Sequence, residues 1–469
     1  MQPAFEVYVS LHEESRAYLN SRGISFDILL LNPYVLDVPF YTLRDADRIN
    51  QRREVPLPDD NYGRVNMKLL EEFKGLLRNT GHMFVYISDV PPDRLEMMKE
   101  RRLVVVEDDR VYGAKEYRDE KTIKDFFSKD MSVNCAVKIP IRDDELNDEQ
   151  SAFIHKYNND TSHFILVNSP AGTGKTYIEG YISKHDNNVL FVTPTHQSKK
   201  VLLKYIGDPD VVMLIHTAAY TNQPEFEPHT IFIDEASMAD CGLLAALIRK
   251  FPKARYILMG DINQLPPVAR GYPFKNLCRR YGSLNMTINY RSNQTIQLVL
   301  SKILRKELVP PIAGMFIDME TAIQKFIEKP NESVVISHEN RTVDDINNRI
   351  HRLLFPDNTD TFALGSKLVC ISNRLPRYKN GDTLIYNGQD IVQKNKEYFK
   401  LAYAITIHKS QGSQYDVVIL VPGRHYLSTR QLIYTAVSRA KEQLYIVCAD
   451  NRKFLAHYLR DEHERNSTI

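Results

Sequence analysis

The sequence predicts an α/β protein, two units built on parallel sheets with a small α+β unit in front of them. Three observations carry the prediction. From Phe164 onward, short apolar strands alternate with helix-forming stretches, which is the grammar of βαβ units. Several of those strands run directly into polar loops rich in Gly, Asp or Glu, as at Asn168-Ser169, Ile233-Asp234 and Met259-Gly260. Before Phe164 the pattern is different, a helix followed by a short hairpin.

Composition sets the outer bounds. The chain has 469 residues, of which 43% are hydrophobic and 26% charged, a balance that excludes a disordered or collagen-like chain and leaves room for more than one core. The most apolar early run, Phe26 to Val38, is broken by Asp27, Asn32, Pro33 and Asp37, so it reads as neither a membrane span nor a signal segment. An intracellular protein without membrane contact is expected, in the cytoplasm of a bacterial host or the nucleus of a eukaryotic one. The five cysteines, Cys135, Cys241, Cys278, Cys370 and Cys448, are scattered without a C-x-x-C pair, so no zinc or iron–sulfur site is expected. The net charge of +2 divides unevenly, with about −5 on residues 1–145 and about +7 on the remainder. A basic remainder suits a polyanion, and an acidic front suits a protein partner.

Taken in order, residues up to about Arg64 give no assignable fold. Val65 to Asn79 place Leu69, Leu70, Phe73, Leu76 and Leu77 at helical spacing. His82 to Val90 alternate like a strand, and Pro92 to Arg102 suit a helix. Leu103–Val106 and Arg110–Tyr112, joined by Glu107-Asp108-Asp109, read as a β-hairpin. Helix then hairpin outlines a winged helix, although a small α+β cap with no nucleic-acid role fits the acidic balance better. The units expected are 1–135, an accessory α+β unit; 136–283, the first parallel-sheet unit; and 284–469, the second.

The strand Phe164 to Asn168 leads into Ser169-Pro170-Ala171-Gly172-Thr173-Gly174-Lys175-Thr176 and then a helix, the strand–loop–helix setting of a phosphate-binding loop. Backbone N–H groups and the helix N-terminus hold phosphates there, Lys175 neutralises the β/γ-oxygens, and the Thr176 hydroxyl ligates Mg²⁺. The first glycine of the pattern is replaced by Ser169, which removes some backbone freedom at the loop's entry. A second buried strand, Thr230 to Ile233, ends in Asp234-Glu235; Asp234 is the Mg²⁺ ligand and Glu235 the residue that polarises the attacking water. A third, Tyr256 to Met259, ends in Gly260-Asp261-Ile262-Asn263-Gln264-Leu265-Pro266-Pro267-Val268, where Gln264 is placed to sense a γ-phosphate.

This ordered set resembles superfamily-1 helicases, and the Gly-Asp-x-x-Gln-Leu-Pro-Pro-Val wording is similar to the RecD- and Dda-like branch that translocates 5′ to 3′ on single-stranded DNA. The resemblance spans roughly residues 100–469 and implies two RecA-like motor domains using ATP and Mg²⁺. It implies further roles along the chain. Leu146 to Gln150 resembles the adenine-reading Q motif, with Gln150 on the base. Pro194-Thr195-His196 and His216-Thr217 fall in segments similar to two DNA-contacting motifs of the first motor domain. Asn289-Tyr290-Arg291-Ser292 presents Arg291 as an arginine finger, and Tyr434 to Lys441 presents Arg439 as a second. Within Tyr403 to Gly412, similar to the fifth motif, Thr406 and His408 meet the DNA backbone and Gly412 belongs with the nucleotide. Tyr220, Phe274, Tyr290 and Tyr415 are candidate base stackers that suit a core equally.

Two departures from the family pattern stand out. Only nine residues, Tyr220 to Pro228, are available where relatives carry a strand-separating pin. Gly365 to Asn373 and Tyr386 to Ile391 resemble the entry strands of an SH3-like insertion, but little chain remains before Leu401, so a reduced insertion near 365–399 is expected. The function implied is an ATP-driven DNA translocase and helicase, monomeric, on single-stranded and forked DNA, with a reduced pin. An RNA helicase on the same fold and a nucleotide-switched DNA-binding module without a motor cycle are the alternatives, the latter opposed by the intact Glu235, Gln264, Arg291 and Arg439.

Overall fold

The computed structural model describes residues 24–35, 42–53, 56–77, 81–133, 137–142, 144–220, 227–290, 292–358, 360–372, 374–375 and 377–469, with isolated residues before Ile24. The front of the chain folds as helices α1 (Phe26–Leu31), α2 (Leu43–Asn50) and α3 (Tyr62–Leu77), then β1 (Phe84–Tyr86), α4 (Pro92–Glu100), β2 (Val104–Glu107), β3 (Arg110–Gly113) and α5 (Ala114–Phe127). Helix α2 starts where Thr42 and Asp45 close a reciprocal capping box. Helix α3 buries Leu69, Leu70, Phe73 and Leu77 along one face, as the spacing requires. The alternating run 82–90 yields only three strand residues, because the Asp89 carboxylate accepts the Tyr86 N–H and winds Ile87–Asp89 into a 3₁₀ turn. The hairpin pairs Val106 with Val111 and Glu107 with Arg110, and Asp108 turns it in a left-handed conformation at φ 56°. Its outer neighbour is β1, giving an antiparallel order β1-β3-β2.

Helix α5 welds this front unit to the rest of the molecule. Its acids are buried and paired: Glu116 with Arg270, Asp119 with Lys115 at 2.7 Å and Arg249 at 2.9 Å, and Glu120 accepting from the Thr468 N–H at 2.7 Å. Part of the acidity counted in the front of the chain is therefore consumed inside the molecule rather than displayed to a partner.

The first parallel sheet is built from α6 (Asp148–Asn159), β4 (Phe164–Asn168), α7 (Lys175–Ser183), β5 (Val189–Thr193), α8 (His196–Ile206), β6 (Val212–Leu214), α9 (Ile215–Tyr220), β7 (Thr230–Ile233), α10 (Cys241–Lys250), β8 (Arg255–Gly260), α11 (Pro273–Tyr281) and β9 (Leu284–Asn285). Its order is β6-β5-β7-β8-β4-β9, every pair parallel. Apolar clusters cover both faces, which is why the strands read as unbroken hydrophobic runs. Arg255, 1% exposed, looks out of place in such a strand; its guanidinium donates to the Tyr157, Asp160 and Ser162 carbonyls and so closes the end of α6. Residues 221–226, where the reduced pin is expected, lie outside the described residues.

The second unit comprises α12 (Gln294–Arg305), β10 (Phe316–Ile317), α13 (Met319–Glu328), β11 (Ser333–Ser337), α14 (Asn340–Leu354), β12 (Lys367–Cys370), β13 (Thr383–Ile385), β14 (Phe399–Leu401), β15 (Ala404–Thr406), β16 (Tyr415–Val421), α15 (Arg430–Val437), β17 (Ala440–Val447) and α16 (Asn451–Leu455). Five of its strands make a parallel sheet, β10-β17-β16-β11-β15. The other three form a small antiparallel sheet, β13-β12-β14, over its own core of Phe362, Leu368, Cys370, Val392 and Phe399. The inserted segment thus keeps three strands and a closed apolar centre. Among the described residues no helix is long and apolar enough to cross a membrane.

Residues 461–468 then strap the units together. Asp461 pairs with Arg430 at 2.6 Å and the Glu462 N–H donates to Gln431, both on α15. Three residues later Arg465 donates to the carbonyls of Pro267, Ala269 and Gly271, and Asn466 exchanges bonds with His82 and Met83.

Candidate nucleotide and nucleic-acid site

The loop between β4 and α7 takes its shape from two glycines. Gly172 and Gly174 adopt φ of 91° and 88°, a left-handed conformation that side chains resist. A Cβ on Gly174 would stand 2.6 Å from the Gln150 amide nitrogen and push that side chain aside. Ser169 needs no such freedom: it is absent from the left-handed residues, its N–H donates to the Gly260 carbonyl at 2.7 Å, and its hydroxyl bonds that of Thr173. The replacement of the first glycine is thereby accommodated, with Ser169 and Thr173 stapling the loop's two ends. Lys175, 7% exposed, donates to the Ser169 and Pro170 carbonyls, and Thr176 follows at the start of α7.

Gln150 lies beside this loop as the third residue of α6, its carbonyl oxygen accepting the Asn147 N–H in a capping box. Its neighbour Glu149 was not foreseen; the carboxylate accepts from the Thr287 hydroxyl and from the Thr287 and Ile288 N–H groups, and these hydrogen bonds lower its pKa against burial. It fixes the segment that crosses back over the loop. There the Tyr290 N–H donates to the Gly172 carbonyl at 2.9 Å, the Asn289 amide to Ala171 at 2.9 Å, and Asn147 to the Tyr290 hydroxyl. Tyr290, a candidate DNA stacker, is 61% exposed and stands beside the Gly172 loop. Arg291 lies outside the described residues, while its neighbour Ser292 donates to the Ala440 carbonyl.

The carboxylates sit at the end of β7. Asp234 is buried and accepts the Glu235 N–H at 2.8 Å, and Glu235 is forced to φ 50°. A non-glycine residue in that conformation stores strain that only a well-determined surrounding holds in place. The Glu235 Oε2 atom is buried and, among the described residues, has no hydrogen-bond partner. Both oxygens of Glu179 share that condition, and Glu179 is fully buried. Burial, then the nearby Asp234 charge, raises its pKa well above the ordinary range, with Lys175 opposing and Glu235 adding. Its spacing of four residues after Lys175, on the same helical face, was the available sequence signal.

The third strand brings the second unit to the site. Asp261, fully buried, accepts the Tyr434 hydroxyl at 2.9 Å, and the Leu265 N–H donates to the Thr435 hydroxyl at 3.0 Å. Gln264, 1% exposed, lies between these two contacts. Arg439 follows α15, 2% exposed; burial lowers its pKa against the pull of Glu235 and then Asp261. Its guanidinium donates to the Thr435 carbonyl at 3.0 Å and the Ser438 hydroxyl at 3.0 Å. A buried cation of the second unit thus lies within electrostatic reach of the carboxylates of the first.

Of the residues assigned to DNA, Thr195, His196 and His408 line one groove of about 400 Å³. Thr406 ends β15 above it, its hydroxyl accepting the Lys409 N–H. Pro194 precedes Thr195, the N-cap of α8. His216 and Thr217 begin α9, one strand further along the same sheet edge, outside the groove's lining. Burial lowers the pKa of His196 and of His408, so both are held toward the neutral form. Gly412 packs closely on the start of α8, where a Cβ would meet the Ser198 and Thr195 hydroxyls at 2.5 and 2.9 Å. Phe274 is wholly buried, while Tyr220 and Tyr415 pack against apolar clusters.

Residues 145–321 match the AAA domain family, and residues 401–447 match the UvrD-like helicase C-terminal domain. Among related sequences, the ATP-dependent DNA helicase Dda of Enterobacteria phage T4 is 25% identical over 360 residues, covering 66% of this chain and 79% of that protein. The RecBCD subunit RecD of Mycolicibacterium smegmatis is 27% identical over 281 residues, covering 48% of this chain and 50% of that one. An uncharacterized protein of Methanocaldococcus jannaschii is 24% identical over 448 residues, with 65% and 38% covered. The chain thus spans less than two thirds of the length of two of these three relatives. A solved Pif1 helicase from Bacteroides superposes with a TM-score of 0.47 at 18% identity, covering 67% of this chain and 94% of that one. In motif order and in the two matched segments the chain is similar to superfamily-1 helicases of the RecD and Dda type.

Proposed function

We propose that the chain is an ATP-dependent 5′→3′ translocase and helicase on single-stranded DNA, hydrolysing ATP in the cleft between its two parallel sheets. The observation that carries this is the joint between the units, where Asp261 and Leu265 of the first bond Tyr434 and Thr435 on α15 and Arg439, 2% exposed, follows that helix. A guanidinium supplied across a cleft makes closure depend on the nucleotide, and release follow hydrolysis. Lys175 and the loop amides of Gly172 to Thr176 take the phosphates, and Gln150 with Tyr290 frames the base. The site also fits Mg²⁺: Asp234 and the Thr176 hydroxyl are hard oxygen donors beside an orphaned buried carboxylate oxygen of Glu235. When bound there, Mg²⁺ would neutralise charge on the phosphate oxygens.

In this reading Glu235 orients and deprotonates the attacking water, Gln264 faces the terminal phosphate, and Arg439, with Arg291, stabilises the charge that develops on it. Thr195, His196, Thr406 and His408, with Pro194, His216 and Thr217 alongside, grip the strand from the two units, chiefly through its phosphates. Opening and closing of the cleft moves the two grips relative to each other. The short link between α9 and β7 gives a reduced wedge, so efficient opening of long duplexes requires another element or a partner. The acidic front is the surface we assign to such a partner, and the motor itself works as a monomer.

The test has two arms. Lys175→Ala is expected to abolish DNA-stimulated ATP hydrolysis with an unchanged melting temperature; retained turnover would remove the site assignment. On matched forks, unwinding that requires a 5′ tail is expected, and dependence on a 3′ tail would overturn the polarity.

A further inference from the structure

The groove that holds Thr195, His196 and His408 has three walls, and the third comes from the small antiparallel sheet β12–β14. The start of α8 forms one wall and the edge of the second parallel sheet, with Ile405, His408 and Lys409, forms the floor. Over them reach Lys367 of β12 and the turn Asn380-Gly381 with Thr383. Lysines and histidines line this space and, among the described residues, no carboxylate does, which suits a phosphodiester strand. A second sign of a ligand is Gln411, 6% exposed in the lining, whose Nε2 donor has no hydrogen-bond partner among the described residues.

Above the groove, one contact joins roof to wall. Lys200 Nζ meets Asp382 Oδ1 at 2.6 Å, with side-chain exposures of 54% and 11%. Lys200 stands one helical turn after His196, so both project on the same side of α8. Asp382 is fixed by its own turn: its other oxygen accepts the Lys379 N–H at 3.0 Å, and its carbonyl accepts the Cys370 N–H at 2.8 Å. The carboxylate absent from the groove's lining is therefore used on its outer rim, engaging the first motor unit.

Resting on the proposed single-strand grip, we infer that β12–β14 is the roof of a closed channel for single-stranded DNA and that Lys200–Asp382 is its latch. A strand held under the roof leaves by threading out lengthwise or by waiting for the latch to open. The pair thus slows dissociation without touching the nucleotide site.

The experiment measures dissociation of a fluorescent oligothymidylate from the full chain by stopped flow, with melting temperatures as the folding control. Lys200→Glu and Asp382→Lys are each expected to raise the dissociation rate about three- to fivefold, the range open to a partly exposed pair. The exchanged double variant is expected to return within about twofold of wild type, since it rebuilds the pair in reverse. Asp382→Asn, which keeps an acceptor for the Lys379 N–H, is expected to behave like the reversal. Wild-type rates in the single variants would overturn the latch, as would a double variant no better than Lys200→Glu, which would mean that Lys200 acts on the strand directly. A wild-type chain that binds no single strand would overturn the grip, and the latch with it.

Discussion

Replacing Arg465 with alanine removes one side chain and three bonds. Its guanidinium donates to the carbonyls of Pro267 and Ala269 at 2.6 Å and of Gly271 at 2.7 Å, and burial lowers its pKa, so it stands largely out of water. Hydrogen bonds to a charged group contribute about 1.5–3 kcal/mol each. The carbonyls regain water in the variant and the guanidinium's own desolvation cost disappears, which reduces the net loss to about 2–4 kcal/mol. For a unit of this size that is about 5–15 °C in the first calorimetric transition. Arg465→Lys restores one bond, because a single ammonium cannot reach three carbonyls in a fork. Gly81→Ala attacks the same place from the other side: it sits at φ +68°, and a Cβ there collides with the Arg465 guanidinium. The two changes are expected to be non-additive, the double variant losing less than the sum of the single losses because only the left-handed strain at residue 81 remains once the clash is gone. The segment they hold, 267–271, continues directly from Gln264, so Arg465→Ala is also expected to lower DNA-stimulated kcat more than it raises KM for ATP. A first transition within about 1 °C of wild type would refute the strap as a structural tie.

Three further outcomes rest on single sites. Glu179 has a raised folded-state pKa, so the stability it contributes is present below the ordinary glutamate value of 4.5 and is lost as pH rises toward the folded one; Glu179→Gln should melt above wild type by a margin that grows from pH 5 to pH 9, and a pH-independent margin would contradict this. Phe274→Ala, at a site of zero exposure, should cost about 3–5 kcal/mol in urea unfolding, as expected of a core ring rather than a base platform. Tyr290→Ala should raise KM for ATP roughly five- to tenfold, the loss of one ring contact, while the melting temperature stays put because the ring is 61% exposed.

Much of the site was readable because its chemistry is local in sequence. A loop that needs left-handed backbone at 172 and 174 advertises the fact with glycine, and a carboxylate at the end of an apolar strand stands out against its neighbours. What escaped notice was anything defined by a distant partner. The missing Cβ of Gly412 makes room for Thr195 and Ser198, more than two hundred positions away in the chain. Tyr290 reads as an aromatic beside a motif, and only the return of its segment over Gly172 puts it beside the phosphate loop. The run 82–90 alternates like a strand, but one side-chain bond from Asp89 outweighs the pattern.

The charge division shows the boundary most clearly. The sequence by itself determined the family resemblance, the phosphate-loop pattern, the carboxylate pair and the parallel-sheet class, since each depends on residue type at short spacing. It also determined that the front of the chain is acidic. Only the tertiary structure decided where that acid goes: Glu116, Asp119 and Glu120 are buried against Arg270, Arg249 and the 467–468 segment, so they serve as internal fastenings. The same holds for Lys200 with Asp382 and for Arg465 with its three carbonyls. Coulomb and hydrogen-bond energies depend on separations in space, and chain folding brings residues hundreds of positions apart to within three ångströms, which no local pattern encodes.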